Sequence, residues 1–263
     1  HILNIFISFN HYLECYDIPY FFMRTIARID IKNENVIKGI NLEGLRKVGN
    51  PTEIAKKYYS EGIDELLIID SVASLYGRNN LFNLIKSITN EIFVPITLGG
   101  GIRSLKDIEN SLNSGVDKVA INSKALEHPN FLKEAVTNFG ESTIVVNIEA
   151  KKIDDKKWEP YKFCGRERTN LNITNWIKTI QNKGCGEILL TSIDKEGTET
   201  GFDIDLINEV YELTDKPLIV SGGCGKINDI QIINQKFPNV SVALASVLHY
   251  KTLKISEIKK ILR

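Results

Sequence analysis

Methionine is almost missing from this 263-residue chain: Met23 is the only one, and residue 1 is His1. Cysteine is scarce as well. Cys15, Cys164, Cys185 and Cys224 stand far apart with no C-x-x-C pair, so the ligand spacing of a structural zinc site is lacking and no metal is expected. Isolated thiols of this kind suit a reducing, cytoplasmic setting. Charge of one sign is also lacking, since 33 basic side chains face 33 acidic ones. That balance removes the basic excess of a nucleic-acid binder or a polybasic membrane-surface protein, and neither partner is expected. Long apolar runs are few. Residues 1–22 come nearest, but Asn4, Asn10, His11, Glu14 and Asp17 interrupt them, against a membrane span. The same stretch lacks the basic start and small-residue cleavage site of a signal peptide.

What is present is ordinary for a globular protein: 43% apolar and 25% charged residues. A chain of this size buries a full core without staples, as two small domains or one large barrel. From Met23 onward, short apolar runs alternate with helix-period stretches. The strands are expected at Thr25–Ile31, Glu65–Asp70, Val94–Leu98, Lys118–Ile121, Thr143–Ile148, Glu187–Leu190, Leu218–Val220 and Ser241–Leu244. Helical periodicity covers Pro51–Ser60, Leu105–Ser114, Phe131–Phe139 and Ile173–Asn182. Eight β-then-α units point to a closed (β/α)₈ TIM barrel, with an open doubly wound sheet as the competitor.

An internal repeat favours the barrel. Pro95-Ile-Thr-Leu-Gly-Gly-Gly is echoed by Pro217-Leu-Ile-Val-Ser-Gly-Gly about 120 residues later, half a barrel away. Arg28-Ile-Asp-Ile-Lys is echoed by Asn147-Ile-Glu-Ala-Lys, and Glu61-Gly-Ile-Asp-Glu-Leu-Leu by Lys183-Gly-Cys-Gly-Glu-Ile-Leu. Two alike halves imply a site with pseudo-twofold symmetry. The expected organisation is one barrel domain over 23–263, preceded by an N-terminal extension of residues 1–22, with translation naturally beginning at Met23.

Barrel chemistry sits where strands run into βα loops. Asp30 and Glu149 end strands at matched places, and a facing acid pair suits general acid–base work if its environments separate the two pKa values. Asp70 and Asp194 also end strands and are candidates for substrate contact or support. Gly99-Gly100-Gly101 and Gly222-Gly223 each lead into a helix, with Asn122-Ser123 and Ala245-Ser246 on the neighbouring strand ends. Such loops let backbone N–H groups approach a phosphate, so two cups imply a substrate phosphorylated at both ends. At the opposite strand ends stand Arg24, Glu65, Lys118 and Glu187. They read either as solvated edge charges or as a closed ring of ion pairs at the barrel floor.

These motifs, with Val36-Ile-Lys-Gly, Asp117-Lys-Val-Ala-Ile-Asn, Gly186-Glu-Ile-Leu-Leu-Thr-Ser-Ile-Asp, Gly197-Thr and Ala243-Leu-Ala-Ser-Val-Leu-His249, resemble the cyclase-subunit family of imidazole glycerol phosphate synthase across Met23–Arg263. The resemblance implies a half-barrel-duplicated (β/α)₈ barrel without a cofactor. Its members take ammonia from a separate glutaminase subunit docked at the N-terminal face of the barrel. They add it to a bis-phosphorylated phosphoribulosyl-formimino aminoimidazole carboxamide ribotide. The products are imidazole glycerol phosphate, for histidine, and aminoimidazole carboxamide ribotide.

By the same resemblance Asp30 and Glu149 match the two catalytic acids, and Lys38 the lysine of a mobile first loop that closes over substrate. Gly101, Asn122 and Ser123 match one phosphate site; Gly197, Gly223, Ala245 and Ser246 match the other, with Asp194 beside the substrate. Arg24, Glu65, Lys118 and Glu187 match the ammonia gate, and Asp117 a residue that signals to the glutaminase.

Several positions depart from the family pattern. Glu149 and Glu196 stand where Asp is usual, Asn33-Glu34-Asn35 replaces an Asp-Gly turn, and Leu42 replaces an aromatic. Gln235-Lys-Phe-Pro-Asn239 replaces an Ala-Gly-Ala-Asp approach to the last strand. These changes spare the gate and alter the mouth. They keep open a paralogue that delivers ammonia for sugar amidation in surface-polysaccharide synthesis. A sister isomerase of histidine synthesis and a non-catalytic ammonia conduit or scaffold are further alternatives.

Overall fold

A computed structural model describes residues 23–71 and 82–262. The expectations for residues 1–22 and Cys15 therefore lie outside the described residues. Eight parallel strands close on themselves: β1 (Thr25–Lys32), β4 (Glu65–Asp70), β5 (Ile96–Gly99), β6 (Lys118–Ile121), β7 (Ile144–Asp154), β10 (Glu187–Ser192), β11 (Leu218–Ser221) and β12 (Ser241–Leu244). Closure is made by β1, which pairs with β4 on one side and β12 on the other, Ile26 lying opposite both Glu65 and Ala243. A ring has no edge strand, so the open-sheet alternative is overturned. The strand ends fall within a few residues of expectation, except where β7 runs on past Ile148.

Helices follow the strands and cover the outside: α1 (Pro51–Ser60), α2 (Phe82–Thr89), α3 (Leu105–Asn113), α4 (Ser123–Glu127), α5 (Asn130–Phe139), α6 (Ile173–Lys183), α7 (Ile204–Tyr211), α8 (Ile227–Lys236), α9 (Ser246–His249) and α10 (Ile255–Leu262). Their starts are written locally. Asn50 caps α1 by accepting from Thr52 N and Glu53 N, ahead of Pro51 in the first turn, and Ser104 with Asp107 forms a capping box on α3.

Two hairpins were not expected from periodicity. After β1 the chain turns at Asn33 (φ 56°) into β2 (Asn35–Ile40) and β3 (Glu43–Gly49). After β7 it turns at Lys156 (φ 50°) into β8 (Lys157–Lys162) and β9 (Glu167–Arg168). Asn takes the left-handed region with little penalty, which starts the first turn. Both hairpins extend the first strand of their half-barrel, so the duplication reaches the mouth.

Apolar side chains form two bodies. The larger lies between strands and helices and includes Met23; the smaller comprises Ile26, Leu67, Ile69, Ala120, Val145, Leu189, Ile219 and Ala243. The smaller set occupies alternate strand positions, the inward ones of a pleated barrel. One step below it on the same strands stand Arg24, Glu65, Lys118 and Glu187; one step above stand Arg28, Asn147, Thr191 and Ser221. The lumen is thus a charged floor, a dry aliphatic layer and a polar mouth.

Candidate active site

The floor residues form a closed ring. Arg24 Nη1 meets Glu65 Oε2 at 2.7 Å and Glu187 Oε1 at 3.0 Å, while Lys118 Nζ meets Glu65 Oε1 at 2.7 Å and Glu187 Oε2 at 3.1 Å. This overturns the reading of solvated edge charges. Glu65 is 1% exposed and accepts a further bond from Thr97 Oγ1 at 2.9 Å, so its desolvation is offset by three donors. Beside the ring, Asp117 accepts from Ile96 N at 2.8 Å and donates its own N–H to Ile96 O at 2.9 Å, tying the starts of β5 and β6. Asp64 does the same for β1 and β4 through Thr25.

At the mouth, Asp30 and Glu149 are both buried but differently dressed. Asp30 Oδ1 accepts from Arg28 Nε at 2.9 Å, and Lys38 Nζ lies 3.9 Å from its other oxygen. Burial raises the Asp30 pKa, but Arg28 and Lys38 outweigh it and hold the carboxyl below the usual range. Glu149 accepts from Asn122 Nδ2 at 3.0 Å and from Gly165 N at 3.0 Å. Burial pushes it up to about 7, outweighing the Arg28 charge, which pulls the other way. One acid is therefore ionised and the other poised to carry a proton at neutral pH, the division that acid–base chemistry needs.

Lys38 lies on β2, buried beneath the hairpin and paired with Glu196. Asn41 N donates to Glu196 O at 2.7 Å, fastening the hairpin to the loop after β10. Gly197 (φ 73°) permits this approach, because a Cβ there would sit 2.2 Å from Gly39 O. The first β-hairpin is closed over the acids.

Gly101, Asn122 and Ser123 line a cavity of about 160 Å³ together with Asn147, Glu149 and Cys164. Asn122 has a second task there, since its amide also donates to Tyr161 O at 3.1 Å, and Ser123 Oγ accepts from Phe163 N at 3.0 Å. On the other half, Gly223 (φ 101°) accepts at its carbonyl from Gly201 N at 2.7 Å, and Ala245 and Ser246 are buried at the start of α9. The Asp194 carboxylate accepts from Lys152 N at 2.7 Å, and Asp194 lines neither of the two cavities beside the acids. Among the described residues no cluster of His, Cys, Asp or Glu is arranged to hold a metal ion.

The histidine biosynthesis protein family matches residues 24–254. The chain belongs to that family. Its relatives include an imidazole glycerol phosphate synthase subunit HisF of Legionella pneumophila, 49% identical over 207 residues, covering 79% of this chain and 98% of the relative. The HisF subunit of Streptococcus mutans is 39% identical over 240 residues, 91% of this chain and 96% of the relative. That of Lactococcus lactis is 42% identical over 237 residues, 90% and 92%.

Within this histidine-biosynthesis barrel the structure adds residues that the sequence reading does not single out. Arg28 and Asn147 sit on the lumen side of β1 and β7, a placement the period-two alternation from Arg24 and Val145 would have flagged. Glu196, met in the sequence only as a departure, is the partner of Lys38. Phe163, Cys164 and Gly165 all take positive φ (52°, 57° and 75°), and this left-handed run aims the Gly165 N–H at Glu149. No sequence signal marks Phe163 or Cys164 for such a turn. Among the described residues, no helix is long and apolar enough to cross a membrane.

Proposed function

We infer that this chain is the cyclase subunit of an imidazole glycerol phosphate synthase, acting in histidine biosynthesis. The observation that carries the reading is the pair Asp30 and Glu149, two strand-end acids of opposite protonation tendency at the mouth of a family barrel. In this role a proton must leave the incoming ammonia nitrogen and another must reach the oxygen lost as water. Asp30 is the acceptor and Glu149 the donor. Lys38, brought by the closed hairpin, supplies positive charge beside Asp30 and screens the acids from solvent.

The substrate phosphates are assigned to two cups. Gly101, Asn122 and Ser123 form one, and Gly197, Gly223, Ala245 and Ser246 the other, with Asp194 supporting the loop after β10. Ammonia enters from a glutaminase subunit at the floor, past Arg24, Glu65, Lys118 and Glu187, with Asp117 linking the floor strands to that partner. The aliphatic layer between floor and mouth suits a small neutral molecule and opposes ammonium. The setting is cytoplasmic.

The test is turnover of the ribulosyl substrate, followed by absorbance with ammonium salt as the nitrogen source and no partner. Turnover that is lost in Asp30→Asn supports the reading. No turnover, with a stable glutaminase complex, assigns the barrel to ammonia delivery for another acceptor. The longer acids Glu149 and Glu196 at the mouth favour that second reading, in which a sugar is amidated.

A further inference from the structure

Arg28 and Asn147 occupy the same place in the two halves, each two residues before an acid on the inward side of its strand. Arg28 is 2% exposed. Its Nε reaches Asp30 at 2.9 Å, and its Nη1 donates to Thr191 Oγ1 at 3.0 Å and Ser221 Oγ at 3.1 Å. A guanidinium held from three strands cannot swing away, and it does not deprotonate in a protein. Asn147 brings an amide that hydrogen-bonds Glu149, while its buried Oδ1 has no partner, and it brings no charge. Two carboxyls related by duplication thus meet a fixed cation in one half and a neutral amide in the other.

We propose that Arg28 and Asn147 are positioning residues that divide the proton work between the acids. Arg28 keeps Asp30 a carboxylate, and the neutral Asn147 leaves Glu149 able to hold a proton. The inference rests on the cyclase reading for its chemical purpose, not for its electrostatics. Asp30 also faces Lys38 from β2 and His249 from α9. Glu149 feels the Arg28 charge as well, and then that of Asp30, but no salt bridge joins it to Arg28, and burial outweighs the Arg28 charge. The Cys164 thiol beside Glu149 is held neutral by burial, which raises its pKa. Lys38 pairs with Glu196 and stands 3.9 Å from Asp30, so Arg28, at 2.9 Å, is the cation nearest Asp30.

Carboxyl ¹³C chemical shifts followed against pH in the intact chain test this, with Asp30→Asn and Glu149→Gln assigning the two signals. In Arg28→Met the Asp30 titration moves up so that its acid dissociation constant falls at least tenfold, and Arg28→Lys recovers most of the change. In Asn147→Lys the Glu149 titration moves down. An unmoved Asp30 titration in Arg28→Met overturns the proposal; if that variant fails to fold, an unmoved Glu149 titration in Asn147→Lys does so. Where the ribotide is turned over, both limbs of the kcat–pH profile move with the carboxyls. An equal loss at every pH, with the limbs in place, reduces Arg28 to packing and also overturns it. Failure of the wild type to turn over ribotide refutes the cyclase reading and leaves the titration to decide this one.

Discussion

At the scale of single residues, chemistry is set by what each carboxyl touches. Glu149 rises to about 7 because burial removes the water that would stabilise its charge, and the hydrogen bonds it accepts do not replace it. The predicted kcat–pH profile is a bell whose alkaline limb falls near 7, with an acid limb below the ordinary carboxylate range from Asp30. A profile flat between pH 5 and 8 would contradict it. The same shift bears on stability. A raised carboxyl pKa means the folded state holds a proton that the unfolded state releases, so stability is present below about 4.5 and lost as pH climbs through about 7. Glu149→Gln removes that loss. It is expected to gain on the order of 2–3 kcal/mol at pH 9 and nothing at pH 4, read as a Tm difference that grows with pH.

At the scale of elements, the two hairpins carry the mouth. The β2–β3 hairpin delivers Lys38 only because Gly197 lets its backbone lie against the loop after β10. Gly197→Val places a β-branched residue at φ 73°, with a Cβ on Gly39 O, and both effects push the hairpin off. The variant is expected to lose roughly 2 kcal/mol or more of hairpin docking, seen as faster amide exchange over 35–49 and a raised KM. Exchange rates matching the wild type would show the hairpin is held elsewhere. The β7–β8 hairpin acts through its end, where the left-handed run at 163–165 presents a backbone N–H to Glu149. Neither hairpin is legible from apolar periodicity, because their outer faces are polar and their pairing is set by turns.

At the scale of the whole molecule, the barrel stacks a charged ring, an aliphatic layer and a polar mouth along one axis. The ring is a network in which Glu65 bridges Arg24 and Lys118. Glu65→Gln leaves two cations short of a partner, and with both partly solvated the cost is expected near 1–3 kcal/mol by thermal unfolding. Enlarging a small lumen residue, as in Ala243→Phe, is expected to depress glutamine-driven turnover with a partner several-fold more than ammonium-driven turnover. Equal losses would place the ammonia route outside the lumen. By itself the sequence determined the barrel, because strand-length apolar runs, helix periods and a half-chain repeat are local or self-similar signals that survive without coordinates. It also placed Asp30, Glu149 and the four floor charges through their positions at strand ends, and Lys38 through the resemblance of its motif to the family. Only the tertiary structure decided that the floor charges close into a ring, that Lys38 pairs with Glu196, and that Asp194 accepts from the Lys152 backbone on the extension of β7. Those outcomes depend on distances between residues far apart in the chain. Above all, it decided how the two acids differ, because Arg28 lies 2.9 Å from the Asp30 carboxyl while burial strips water from Glu149.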